Sequence, residues 1–335
     1  MAVLRLKIIL AFCGVFLFAC SKKSNDVVVY TSVDQVFSEP ILKDFEQATG
    51  IRVKPVFDTE ETKSTGVLNR LIAEKDNPQC DVFWSGDPVR AIILKNKGIT
   101  ASYFSPNAAE IPTGFKDRDG HWTGFSSRAR VLLYNTNLVK PQEEPKSMYD
   151  FVDTQWKNQC TLANPLFGTT SFHAAALFSA FGDSAAKEFF ARLKANEVII
   201  ATSNGDVRKR VADGHVAFGL TDTDDANEAM REGKPVKMVF PDQDRLGALI
   251  VPNTVSLIKN SPNQENGKKL IDYLLTREVE AKLAQSCVQM PLLPNPVEVA
   301  GVTSVDKIVP MQIAYERTAQ KLEEIQPFLK EWMGK

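Results

Sequence analysis

Apolar positions along the chain change period repeatedly. Residues 27–30 (VVVY) form an unbroken apolar run of strand length, 51–57 alternate with period two, and 81–84 form a third short run. Between these runs the spacing becomes helical. Ile41, Phe45 and Ala48 share one face, with Pro40 near the start of the pattern and Gly50 ending it. Val67, Leu68, Leu71 and Ile72 share a face within 65–75, and 88–97 make a further helix that stops at Gly98. This βαβαβα opening predicts a parallel sheet covered by helices.

A turn-rich segment, 101–124, interrupts the alternation, and 128–134 (RARVLLY) leaves it as a strand. Later strands are expected at 161–163, 198–201, 216–220, 235–240 and 248–258, and helices at 171–181, 183–195, 207–213, 268–275 and 278–285. The tail, 306–332, reads as helical with breaks at Pro310 and Pro327. The chain is expected to cross into a second α/β unit along 128–134 and to return along 248–258. The fold class is therefore two α/β lobes joined by a strand hinge, with a ligand cleft between them. Residues 26–127 form the first part of lobe 1 and 128–250 form lobe 2. Residues 251–335 return to lobe 1, their last helices packing partly on lobe 2.

Composition narrows the class. The 335 residues are 44% hydrophobic and 24% charged, with a formal net charge of −1, as in an ordinary globular protein of about two domains. No basic stripe interleaved with aromatics is present, so nucleic acid is not an expected partner. Residues 1–19 read as a signal peptide: Arg5 and Lys7 precede an apolar stretch, 8–19, too short for an ordinary membrane span. The stretch ends in Leu17, Phe18, Ala19 and Cys20, a lipobox pattern that predicts cleavage before Cys20 and lipidation of its thiol. The membrane would then be reached through acyl chains alone, on the periplasmic side of the envelope. Cys80, Cys160 and Cys287 are widely spaced and read as buried free thiols, although one pair could form in an exported protein.

Candidate chemistry collects at strand ends, where open α/β sheets bind ligands. After the first strand come Thr31, Ser32 and Asp34, whose oxygens suit a polar ligand or a helix cap. The second loop carries Asp58, Glu60, Glu61 and Lys63, with Glu60 the first candidate for ligand contact. The third holds Trp84 and Ser85 before Gly86 and Asp87. Trp84 and Trp122 near carboxylates would suit a cation, and equally plain packing. Arg128 and Arg130 alternate on one strand face, so either could bring positive charge to the cleft or enter an ion pair. Gly168, Thr169 and Thr170 stand at the start of an apolar helix, where free N–H groups and hydroxyls suit an anion or carboxylate. Asn204 and Asp206 either cap the next helix or line the cleft.

The densest cluster is Thr221, Asp222, Thr223, Asp224 and Asp225, delivered by an apolar run. If the strand continues, Asp222 and Asp224 share a face, and like charges so close call for a cation, an arginine or N–H donors. The twelve-residue spacing of an EF-hand is absent. No HExxH or GxSxG occurs, and the three histidines form no catalytic pattern; His173 reads as a helix-packing or surface residue. An enzyme is not expected.

Six stretches in order, VVVYTSVDQ (27–35), DFEQATGIRV (44–53), DVFWSGDP (81–88), NPLFGTTS (164–171), GLTDTDDA (219–226) and LIDYLLTREVEAKLA (270–284), resemble the ferric-iron ABC-transporter substrate-binding family, within the type II periplasmic binding proteins. The resemblance implies two lobes that close on a solute and deliver it to an ABC permease and ATPase complex, working as a monomer without a catalytic cofactor. Iron-binding members commonly grip the metal with an acidic residue of the first lobe and two adjacent tyrosines of the second. Glu60 falls where that acid is expected, but Thr223, Asp224 and Asp225 stand where the tyrosines should be. Val33 and Asp34 occupy the loop where a histidine is often found. The expected solute is iron(III) or another metal cation held by Asp34, Glu60, Asp222, Asp224 and Asp225. The alternatives are a small organic cation, zwitterion or phosphonate in the same role, or a sensor or structural lipoprotein outside transport.

Overall fold

The structure is a computed structural model that describes residues 25–58, 64–294, 296 and 298–334. The lipidation candidate Cys20, the signal segment and Glu60, with Glu61 and Lys63, lie outside the described residues.

The chain opens with β1 (Asp26–Thr31), α1 (Gln35–Thr49), β2 (Arg52–Phe57), α2 (Thr65–Ala73), β3 (Val82–Ser85) and α3 (Pro88–Asn96). β2 and β3 flank β1 in parallel, as the alternating pattern requires. α1 begins five residues before Pro40, which therefore sits inside the helix rather than near its start. A short β4 (Thr100–Ala101) follows, and then β5 (Thr123–Asn135), whose thirteen residues are all buried. The second half contains β6 (Cys160–Ala163), α4 (Gly168–Phe181), α5 (Asp183–Ala195), β7 (Ile199–Ala201), α6 (Asn204–Ala212), β8 (Phe218–Asp222), α7 (Thr223–Arg231) and β9 (Val236–Val239). β10 (Ile250–Ile258) returns the chain to α8 (Gln264–Leu274), α9 (Arg277–Cys287), α10 (Tyr315–Glu324) and α11 (Gln326–Trp332). Pro327 stands in the first turn of α11, and no hydrogen-bonded helix runs through Pro310.

The strand order is β2-β1-β3-β10-β5-β8-β6-β7, with β4 on β10 and β9 on β5. β5 is the strand that joins the two halves. Its first residues pair antiparallel with β10, and from Arg130 onward it pairs with β8 and β9. The pairing of β5 with β10 slips at Pro252 and Asn253, opposite Ser126, which takes a left-handed φ of 44°. Glu280 holds this point: its buried carboxylate accepts from the N–H groups of Ser126, Leu292 and Leu293 at 2.8, 2.9 and 3.0 Å.

One large apolar cluster runs from α2 and α3 through α4 and α5 to α10 and α11, and a second packs α1, α8 and α9 on the other face of the first strands. α10 lies against both α3 and α4. Cys80, Cys160 and Cys287 are buried free thiols, and burial pushes those of Cys160 and Cys287 up to about 12, keeping them protonated. Among the described residues no helix is long and apolar enough to cross a membrane.

Candidate functional site

β8 carries its apolar residues into the interior and ends at Asp222, and α7 begins at the next residue. Asp224 therefore does not continue the strand face of Asp222. It stands with Asp225 in the first turn of α7, where the helix dipole favours carboxylates. The turn still gathers the three acids: one oxygen from each of Asp222, Asp224 and Asp225 lies within 4.8 Å of the others.

Arg130 reaches this cluster from β5 and is fully buried. Its Nη1 donates to Asp222 Oδ1 at 2.8 Å, Thr169 Oγ1 at 3.0 Å and Asn204 Oδ1 at 3.1 Å, and its Nη2 to Thr170 Oγ1 at 3.2 Å. The other Asp222 oxygen accepts from Thr169 Oγ1 at 2.8 Å and Asn204 Nδ2 at 3.0 Å. Three strand-to-helix loops of lobe 2 are thus tied to one guanidinium. Burial pushes the Asp222 carboxyl up, but the charges of Arg130 and Arg128 and the bonds from Arg130 and Thr169 hold it below its usual range. Behind this wall His173 is buried with no partner for either ring nitrogen. Burial, with the nearby Arg130 charge, depresses it to about 3, so it is neutral at physiological pH.

Arg128, two residues earlier on the same face of β5, reaches across the lobes. Its Nη2 donates to the Gly86 carbonyl of lobe 1 at 2.6 Å, and its Nη1 lies 3.5 Å from Asp224 and 3.8 Å from Asp222. Burial disfavours its charge, but Asp224, Asp222, Asp34 and Asp225 together raise its basicity. On the lobe 1 side, Ser32 Oγ accepts from the Gly86 N–H at 2.9 Å, so the loops after β1 and β3 brace one another. A Cβ at Gly86 would stand 3.1 Å from Arg128 Nη2, which explains a glycine at this contact.

The resulting cleft is lined from lobe 1 by Ser32, Asp34 and Ser64 and from lobe 2 by Gly168, Thr169, Thr170, Asn204 and the aspartate cluster, with Arg128 between them. Other sequence candidates lie elsewhere. Trp84 is fully buried against Phe125, and Trp122, just before β5, is buried beside Tyr315; each packs into one of the apolar clusters. Thr31 and Ser85 are fully buried turn formers, their hydroxyls accepting from the N–H groups of Val33 and Asp87 at 3.1 and 3.3 Å. Thr221 is buried and donates to Asp225 Oδ2 at 3.0 Å, so it supports the cluster from behind. Asp206 caps its own segment, accepting from the Thr202 N–H at 2.9 Å.

The sequence pattern did not single out Ser64, Phe167 or Ser203 as cleft residues, nor Arg90 beneath the cleft. Arg90 lies in the helix expected over 88–97, of which 88–94 are all buried. Its Nη2 donates to Ser171 Oγ at 2.6 Å across the lobe boundary. The unbroken apolar run around Arg90 was the available signal, since a helix apolar on all sides is buried.

The all-oxygen donor set suits a hard cation. Oxygens on opposite sides of a calcium-sized ion stand up to about 5 Å apart, and the cluster spacing falls within that reach. The uncapped start of α4 and the Arg128 guanidinium provide the opposite polarity in the same cleft.

The family described as bacterial extracellular solute-binding protein matches residues 41–307. The chain is 29% identical to iron uptake protein A1 of Synechocystis sp. over 314 residues, covering 86% of this chain and 84% of that one. It is 27% identical over 295 residues to a Salmonella typhimurium protein named "Putative 2-aminoethylphosphonate-binding periplasmic protein", covering 86% and 80%. The solved structure of a ferric binding protein from Campylobacter jejuni superimposes with a TM-score of 0.83 at 22% identity, over 91% of this chain and 99% of that one. That likeness shows the fold, the type II periplasmic-binding-protein architecture. With the family match spanning most of its length, the chain belongs to the bacterial extracellular solute-binding proteins, a family of solute carriers rather than enzymes.

Proposed function

We propose that the protein is the extracytoplasmic solute-binding component of an ABC importer and that its solute is a hard metal cation, iron(III) first among them. The observation that carries the reading is the Asp222, Asp224 and Asp225 oxygen cluster inside the cleft, with Asp34 on the facing wall. The relative from Synechocystis, named for iron uptake, supports the same solute. Solute contacts from both walls would favour the closed form, which a permease and ATPase complex would receive. The lobes would divide within β5, where its partner changes from β10 to β8. Export to the periplasmic side and lipidation at Cys20 complete the proposal.

The test is metal analysis of protein purified without chelator, followed by thermal unfolding with iron(III) citrate, Ca²⁺ and Mg²⁺. A ligand at a hundred times its Kd stabilises by about 2.7 kcal/mol. One of these ions should raise Tm, and Asp224→Asn with Asp225→Asn should abolish the rise. No bound metal and no shift with any of them would end the metal reading.

A second reading rests on Arg128 and the start of α4, which face the carboxylates across one cleft. This polarity fits a small zwitterion whose ammonium meets the aspartates and whose anionic group meets Thr169, Thr170 and Arg128. The Salmonella relative is named for such a solute. A Tm rise with 2-aminoethylphosphonate, in the absence of any response to metals, would select this reading.

A further inference from the structure

We propose that Arg90 is a positioning residue for the cleft: a lobe 1 guanidinium that holds the first turn of α4 in the opposite wall. The cation is held firmly on its own side. Asp87 Oδ2 accepts from Arg90 Nη1 at 2.9 Å, and Asp87 Oδ1 caps α3 by accepting from the Arg90 N–H at 3.1 Å. Asp87 is itself fixed to the return strand, its carbonyl accepting from Thr254 Oγ1 at 3.2 Å. Its two Nη groups also cross to lobe 2, where Nη2 meets Ser171 Oγ at 2.6 Å and Nη1 meets the Gly168 carbonyl at 3.3 Å, while Nε is buried without a partner. Ser171 Oγ also donates to the Gly168 carbonyl at 2.8 Å, so guanidinium, hydroxyl and carbonyl close a ring.

This turn has no anchor of the usual kind. No side chain caps α4, and Gly168 enters it with a left-handed φ of 56°. Nor does Arg90 stabilise the helix through its dipole, because a cation is unfavourable at a helix N-terminus. Its location is accounted for by what the turn presents on the other side. Gly168, Thr169 and Thr170 line the cleft, and both threonines hold Arg130. One continuous set of bonds therefore runs from Asp87 in lobe 1, through Arg90 and the first turn of α4, to Asp222 in lobe 2. Approach of the lobes and order of this turn are coupled, whichever solute the cleft takes.

The test uses solute-free full-length protein with Ser171→Ala, Arg90→Lys and Arg90→Gln, read by hydrogen exchange and small-angle scattering. Arg90→Gln leaves Asp87 buried without a charged partner and can fail to fold, so Ser171→Ala and Arg90→Lys carry the result. Losing a charge-assisted bond should speed exchange at 168–173 about tenfold, with 176–181 and the lobe 1 strands unchanged. The radius of gyration should rise in the same order as the exchange rate, Arg90→Lys changing less than Arg90→Gln. Wild-type exchange and scattering in folded Ser171→Ala and Arg90→Lys would overturn the proposal. A uniform rise in exchange across both lobes would overturn it too, since that is the signature of a general loss of stability.

Discussion

On the lobe 2 side of the cleft, Arg130, Thr169, Asn204 and Asp222 satisfy one another in a buried network. On the lobe 1 side, Ser32 is committed to Gly86, and Asp34 precedes α1 without capping it by a side-chain bond. A network whose members pair internally keeps its geometry before any solute arrives, because each unmade bond in a dry site is costly. Among the described residues the facing wall contributes Ser32, Asp34 and Ser64 to the cleft lining. The contrast separates two tasks often assigned to one set of residues: lobe 2 stores the shape, and lobe 1 completes the enclosure. Arg128 and Arg130 repeat the contrast within one strand. The inner guanidinium is spent on structure, and the outer one faces the cleft.

The largest expected effect comes from breaking the stored network. Arg130→Met leaves Asp222 buried without its strongest partner and should cost about 3–5 kcal/mol in urea unfolding, with Arg130→Met/Asp222→Leu recovering part of it. Because the Asp222 carboxyl is held below its ordinary value of 3.8, its stabilising share is present above that pH and is lost as pH falls through its native value. A loss no greater than that of an average surface change would show that the wall does not depend on this pair.

His173 sharpens the same side. Its native value of about 3 lies below the ordinary 6.5, so the unfolded chain takes up a proton that the folded chain refuses as pH drops between them. Stability should therefore decline on acidification from about 6.5 with a slope of up to about 1.4 kcal/mol per pH unit from this group, and His173→Leu should flatten that slope. Equal slopes in the two proteins would contradict it. Gly168→Ala should cost about 1 kcal/mol, since alanine resists the left-handed backbone there, and should weaken solute binding as well; unfolding and titration read both. Asp34→Asn, on the facing wall, should cost less stability than Arg130→Met, because Asp34 lies outside the buried Arg130 network, while lowering solute affinity. A large stability loss from Asp34→Asn would erase the distinction between the walls.

Much of this architecture is legible in the sequence. Alternating periods give the order and type of β1 to α3, because each apolar run is short, although the start of α1 lies five residues before the Pro40 that the pattern suggested. Strand ends rich in hydroxyls and carboxylates located Ser32, Asp34, Thr169, Asn204 and Asp222 in the cleft lining. Local pattern failed where a neighbour decided the outcome. Trp84 and Thr31 stand at strand ends as cleft residues do, yet Trp84 packs into the apolar layer against Phe125 and the Thr31 hydroxyl accepts from the Val33 N–H. Asp224 reaches the cluster from a helix turn, which a period of two could not anticipate. The apolar run around Arg90 points to burial, but its partners Gly168 and Ser171 lie far along the chain, so their meeting is decided by tertiary packing alone.

The placement of α10 also limits how the molecule can open. A helix resting on α3 of one half and α4 of the other is a third strap, beside the two crossing strands. Twisting β5 and β10 alone would tear it from one seat. A turn of one half against the other would therefore have to shift α10 along one of its two apolar seats, a shear added to the bending of the strands.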